Sequence, residues 1–175
     1  MNITVYMGSN PGKNPKYREA AEQLGRIIGM NKHTLVYGGS DAGLMGAVAD
    51  SVLSAGGGAI GVFPRSLEGV EGKHPGLDKM IYTDSIVQRR AKMIALGDVF
   101  VALPGGPGTM EEISEVISLA RLDRLKGLCT LLNVDSYYEP LKTQFDNMCD
   151  EGFITAEERS RILFFDTVEE ISKLL

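Results

Sequence analysis

The chain has 175 residues, 43% hydrophobic and 23% charged, which suits a single domain (1–175) with a substantial core. Its net charge of −5 provides no basic field for a polyanion, so nucleic acid is not expected as a partner, and an anionic ligand must be held by local donors. No apolar run approaches the ~20 residues of a membrane span, and the chain enters its first strand without a charged leader, so a cytoplasmic protein with no membrane partner is expected.

Residues 3–7 read as a strand that ends at the turn Gly8-Ser9-Asn10-Pro11-Gly12, and Tyr17, Ala20, Ala21, Leu24 and Ile28 mark one face of the helix that follows. The run from Gly8 to Lys13 superficially resembles a P-loop. It is one residue short between its glycines, however, and has Asn14 where a magnesium-binding hydroxyl belongs. Residues 35–37 form a second strand, followed by the turn 38–43 and a helix with Met45, Val48, Ala49 and Val52 facing inward. Neither turn carries the glycine spacing of a dinucleotide fingerprint. After Gly56-Gly57-Gly58, residues 59–63 give a third strand that Pro64 ends, and a long loop runs from 65 to 78 carrying Glu71 and His74. A loop of that length in a compact domain is more often a functional cover than a spacer. His74 has no second histidine at ligand spacing.

Residues 80–82 are a fourth strand and 85–96 a helix whose stripe Ile86, Met93 and Gly97 also contains Arg89 and Arg90. An inward-facing arginine needs an anion, either a ligand or a structural carboxylate, unless its head reaches solvent. Residues 99–103 are apolar throughout, as in a strand buried on both faces. They break into Pro104-Gly105-Gly106-Pro107-Gly108-Thr109-Met110-Glu111-Glu112, after which Ile113, Val116, Ile117 and Ala120 repeat at helical spacing to about 126. Glycines leave backbone N–H groups unshielded, and a helix start adds roughly half a positive charge, so this turn is suited to an anion. Thr109 and Glu112 also have the spacing of a capping box, which would give Glu112 a purely structural role.

Cys129 lies in a sixth strand (128–134) and Cys149 in a helical pattern with Leu141, Phe145 and Met148. Neither has metal-site or disulfide-scaffold spacing. Thr155 with Glu158 and Thr167 with Glu170 cap two short helices, flanking an edge strand at 163–165. Alternating strands and helices predict an α/β, doubly wound Rossmann-like parallel sheet with helices on both faces and its ligand beyond the carboxyl ends of the strands. Arginine, carboxylates and a phosphate-sized turn, without a metal cluster or a nucleophilic cysteine, suit hydrolysis by charge stabilisation. In such a site Glu112 would be the catalytic carboxylate, stabilising a cation and activating water, with Arg89 assisting.

The segment Pro104-Gly105-Gly106-x-Gly108-Thr109-x-x-Glu112, with the blocks 5–9, 37–39, 43–46 and Arg89-Arg90, resembles the Lonely Guy (LOG) family of cytokinin riboside 5′-monophosphate phosphoribohydrolases, a family also labelled lysine decarboxylase. The resemblance implies a metal-free, cofactor-free homodimer acting on AMP or N6-modified adenosine monophosphates. Its binding positions fall on Glu71, Arg89, Arg90, Gly105, Gly106, Pro107, Gly108, Thr109, Met110 and Glu111. Relatives often carry histidine where Val87 stands and lysine where Arg90 stands, departures that bear on base preference. A non-catalytic nucleotide or molybdopterin-type carrier is the alternative on the same fold. A pyridoxal-dependent decarboxylase is disfavoured, because no lysine is placed at a strand end.

Overall fold

The computed structural model describes residues 1–69 and 72–175. Short apolar runs become seven strands: β1 (Asn2–Tyr6), β2 (Thr34–Tyr37), β3 (Gly58–Pro64), β4 (Lys79–Thr83), β5 (Val99–Ala102), β6 (Leu128–Leu132) and β7 (Ile162–Phe165). They form one sheet in the order β4-β3-β2-β1-β5-β6-β7, with every pair parallel. The chain winds outward from β1 to β4, returns to place β5 beside β1, and winds out the other way. The connections after β1 and β5 therefore part to opposite faces and leave a crevice between them.

The helices are α1 (Pro15–Met30), α2 (Gly43–Ser54), α3 (Ile86–Leu96), α4 (Pro107–Arg121), α5 (Glu139–Asp150), α6 (Ala156–Ser160) and α7 (Val168–Ser172). Because strand side chains alternate, Ile3 and Val5 pack with Leu24, Ile28, Val48 and Val52 of α1 and α2. Tyr6 and Phe100 pack with Met93, Ile113 and Val116 of α3 and α4 on the other face. The sheet is thus doubly wound, with helices covering both faces. Two buried hydroxyls within the sheet are satisfied by main-chain carbonyls, Thr4 by Met93 at 3.2 Å and Thr130 by Phe100 at 2.9 Å.

Both expected capping boxes are present, Thr155 with Glu158 and Thr167 with Glu170. Cys129 is buried in β6 with its thiol pushed up to about 12 by desolvation, which leaves it unreactive; Cys149 is half-buried and free. Two expectations fail. The helix after β5 starts at Pro107 and ends at Arg121, earlier at both ends than the pattern suggested. Ile86 is 45% exposed, because a helix that follows a parallel strand begins at the sheet's carboxyl rim, where no strand lies beneath its first turn. Among the described residues no helix is long and apolar enough to cross a membrane.

Candidate active site

The crevice between β1 and β5 is floored by two interlocked turns. The N–H of Gly8 donates to the carbonyl of Pro104 at 3.2 Å. A Cβ on Gly105 would lie 2.8 Å from the Gly8 nitrogen and collide with the Thr109 side chain, so only glycine permits this approach. Gly106 is the N-cap of α4 in extended conformation, with no side chain capping the helix, and Pro107 takes the first helical position. Proline is favoured there because its missing N–H would have had no partner. The first-turn N–H groups that remain, those of Gly108 and Thr109, have no intrahelical acceptor. A Cβ on Gly106 or Gly108 would meet nothing within 4 Å, so these glycines open onto free space rather than packed protein.

This register corrects the capping-box reading. Thr109 is the third helical residue, 3% exposed, and Glu112 lies almost a full turn further on, too far along α4 to cap it. Glu112 instead forms an ion pair with Arg89: Nη2 of Arg89 lies 3.1 Å from Oε1, with the two side chains only 14% and 12% exposed. Arg89 reaches this position over Gly38, where a Cβ would come within 2.6 Å of Nη2, so the glycine after β2 makes room for the guanidinium. Among the described residues, the buried side-chain donors without a hydrogen-bond partner are Nε of Arg89 and the hydroxyl of Tyr6. An unmet buried donor costs about 1–3 kcal/mol, so both stand out beside the Arg89–Glu112 pair. Burial, with the Glu112 charge adding to it, holds the Tyr6 phenol far above its ordinary value, so it stays protonated.

The neighbouring doublet residues point elsewhere. Arg90 donates through Nη1 to Glu111 at 2.6 Å and through Nε to Glu115 at 2.8 Å; the hydrogen bond to Glu115 is the main reason its pKa is raised. This triad lies outside the cleft, and Met110 also does not line it. The cleft itself, about 430 Å³, is lined by the turn from Pro104 to Thr109, by Arg89 and Glu112, and by Gly8, Ser9 and Asn10. That size is within the range of small-molecule sites. Glu112 is the one carboxylate among the described lining residues, which include no lysine, histidine or cysteine. A pyridoxal Schiff base has no amine to form on here. Nor do the described residues contain a group of three or more His, Cys, Asp or Glu able to hold a metal.

Of the residues singled out in the sequence, then, Arg89, Gly105, Gly106, Pro107, Gly108, Thr109 and Glu112 meet in one cleft; Arg90, Met110 and Glu111 do not enter it, and Glu71 lies outside the described residues. His74 donates through Nε2 to Asp50 (3.0 Å), and its main-chain N–H donates to the carbonyl of Gly39, fastening the long loop over the β2–α2 turn. Sequence reasoning missed Tyr17, Leu44, Met45 and Tyr137 as parts of the cleft wall. The first three carried only a core-facing helical signal, and Tyr137 lies in a connection with no periodicity at all.

Residues 45–175 match the family model described as "Possible lysine decarboxylase". The chain is 42% identical to the cytokinin riboside 5′-monophosphate phosphoribohydrolase of Rhodococcoides fascians, over 96% of this chain and 85% of that one. It is 40% identical to an enzyme of that name from Arabidopsis thaliana, over 99% and 80%. Among solved structures it resembles the molybdenum cofactor binding protein of Rippkaea orientalis, with a TM-score of 0.75, 22% identity and coverage of 99% and 93%. It also resembles the Moco carrier protein of Chlamydomonas reinhardtii, with a TM-score of 0.72, 24% identity and coverage of 99% and 94%. At such identities the two structures speak for the fold alone.

Proposed function

Because the chain belongs to the family of cytokinin riboside 5′-monophosphate phosphoribohydrolases, the LOG family, we propose that its cleft hydrolyses the N-glycosidic bond of AMP or an N6-modified adenosine 5′-monophosphate. The observation that carries this reading is the Arg89–Glu112 pair at the side of a cleft floored by the Gly105–Thr109 turn. The N–H groups at the start of α4 hold the 5′-phosphate, and that remote binding energy sets the ribose beside Glu112.

Cleavage of the C1′–N bond leaves positive charge on the ribose. The Glu112 carboxylate stabilises that charge and takes a proton from the attacking water. The water oxygen bonds to C1′ with one hydrogen, the departing base takes up the equivalent of the other, and the products are free base and ribose 5-phosphate. Arg89 pairs with Glu112 and holds it in place, and its unpartnered Nε is available to an oxygen or nitrogen of the nucleotide.

Among the described residues Glu112 is the carboxylate that lines the cleft, and it serves as the base of the reaction. A carrier would use the same turn for its cargo's phosphate but has no need of an arginine-held carboxylate beside it. Incubating the purified protein with a panel of nucleotides and following free base by chromatography decides between the two. Base release from AMP supports the hydrolase, whereas tight binding without release overturns it.

We further propose that the chain is a homodimer joined near the cleft, through the α3 surface that exposes Ile86 and Val87 and through Leu122 after α4. Sedimentation at micromolar concentration tests this, and an active monomer would overturn it.

A further inference from the structure

The connection from β6 to α5 makes two hydrogen bonds to the glycine turn. The hydroxyl of Tyr137 donates to the carbonyl of Gly105 at 2.5 Å, and that of Tyr138 to the carbonyl of Leu103 at 2.7 Å. The connection is held against the turn from several sides. Asp135 and Ser136 take left-handed φ values of 53° and 61°, which non-glycine residues rarely adopt. Asp135 is gripped by the amide of Asn14, at 2.7 Å, and by the ammonium of Lys16, both at the start of α1. Asn133 accepts from the N–H of Tyr138 at 2.7 Å. The Tyr137 ring sits edge-on to Tyr17 and to Tyr138, with centroids 5.5 and 5.0 Å away. Backbone strained in this way persists where its surroundings over-determine it.

We propose that Tyr137 is a positioning residue for the phosphate-binding turn. In a trans peptide the carbonyl of one residue and the N–H of the next point in opposite directions, and the chain has no cis peptide bonds among its described residues. Anchoring the Gly105 carbonyl therefore sets the direction of the Gly106 N–H, at the N-cap of the helix that receives the phosphate. Two glycines in succession would otherwise leave that peptide plane free to turn. Tyr138 provides the internal control. Its bond is of the same kind, but the carbonyl it holds precedes Pro104, which has no N–H to aim. The inference rests on the phosphate assignment made above.

Tyr137→Phe, Tyr138→Phe and the parent are compared by steady-state kinetics on AMP, calorimetric titration with ribose 5-phosphate, and thermal melting. Tyr137→Phe is expected to raise the KM for AMP and the Kd for ribose 5-phosphate together by about tenfold, the scale of one weakened bond to a charged group. Its kcat should stay within about twofold, the signature of lost binding shared by ground and transition states, and its Tm should be unchanged, since Tyr137 is partly exposed. Tyr138→Phe leaves a buried carbonyl unpaired, so it should lower Tm by several degrees and leave both constants near parental values. Parental constants for Tyr137→Phe overturn the proposal, as does an equal loss of affinity in both variants. If the parent cleaves no nucleotide, the hydrolase reading fails, and the ribose 5-phosphate titration still decides the role of Tyr137.

Discussion

Two arginines, consecutive on α3, meet two glutamates, consecutive on α4, yet the two pairs differ in kind. Arg90 has Nε and Nη1 engaged by Glu115 and Glu111, the latter 58% exposed, and the triad lies outside the cleft. Arg89 meets Glu112 in a pair that is largely buried at the cleft wall, with Nε unpartnered. A satisfied pair near solvent contributes little beyond about 1 kcal/mol, because water screens it and long side chains lose entropy. A buried pair with an unmet donor costs stability unless something else occupies the remaining valence, and such strained polar groups collect where ligands bind. The doublets are chemically alike; the burial of Glu112, the unmet Arg89 donor and the place at the cleft wall separate this pair from the clasp that Arg90 makes between helices.

Substitutions that treat the pairs unequally test this contrast. The largest effect is expected from Glu112→Gln, which keeps size and hydrogen bonding but removes the charge. Turnover of AMP should fall about a hundredfold or more while nucleotide binding persists, and Tm should fall by less than in Arg89→Ala because glutamine still offers Arg89 an acceptor. Wild-type turnover in that variant would dissolve the contrast and return attention to Glu111 or Glu71. Next comes the substrate itself: a nucleoside lacks the phosphate that the α4 start would hold, so kcat/KM for adenosine should be about two orders of magnitude below that for AMP. Equal rates would mean that the turn does not bind phosphate.

Arg89→Ala should lower both affinity and turnover by about tenfold each, and also Tm, since it strands a buried carboxylate. That combination distinguishes it from Glu112→Gln. Arg90→Ala and Glu111→Gln should change kcat/KM by no more than about threefold. A large loss in either would show that the outer triad shapes the cleft after all.

The smallest effect concerns pH. Lys16, by hydrogen bond and charge, holds the Asp135 carboxyl below its ordinary value. The stabilisation is thus present above the unfolded value near 3.8 and disappears as pH falls through the lower folded value. Asp135→Asn should reduce Tm by at most a few degrees at pH 7, and the difference from the parent should shrink away as pH falls through the lowered folded value. A gap that persists in acid would point to packing rather than charge.

The start of α4 shows how competing local signals were resolved. Thr109 and Glu112 have capping-box spacing, but Pro107 also marks a first helical position, and the helix follows the proline. Proline's locked φ and missing N–H are covalent properties present in any context, whereas a capping box needs a helix that happens to begin at its threonine. That single shift of register is what moves Glu112 from the cap to the cleft.

Strand positions, their parallel winding and the clustering of glycine turns at one rim follow from short-range pattern, and these are legible in the order of residues alone. Burial of β1 and β5 on both faces left those segments no other stable arrangement. The choice between Arg89 and Arg90 was not legible. Residues adjacent on a helix differ by about 100° in direction, and which of them faces the crevice depends on how α3 lies across β1 and β2. Nor could any local pattern show that Tyr137, 32 residues beyond Gly105, would hold that carbonyl. That contact exists because β6 lies beside β5 in the sheet, which brings the ends of both strands to the same rim. Periodicity records what each segment buries, while the pairing of distant side chains is decided only when the segments are packed together.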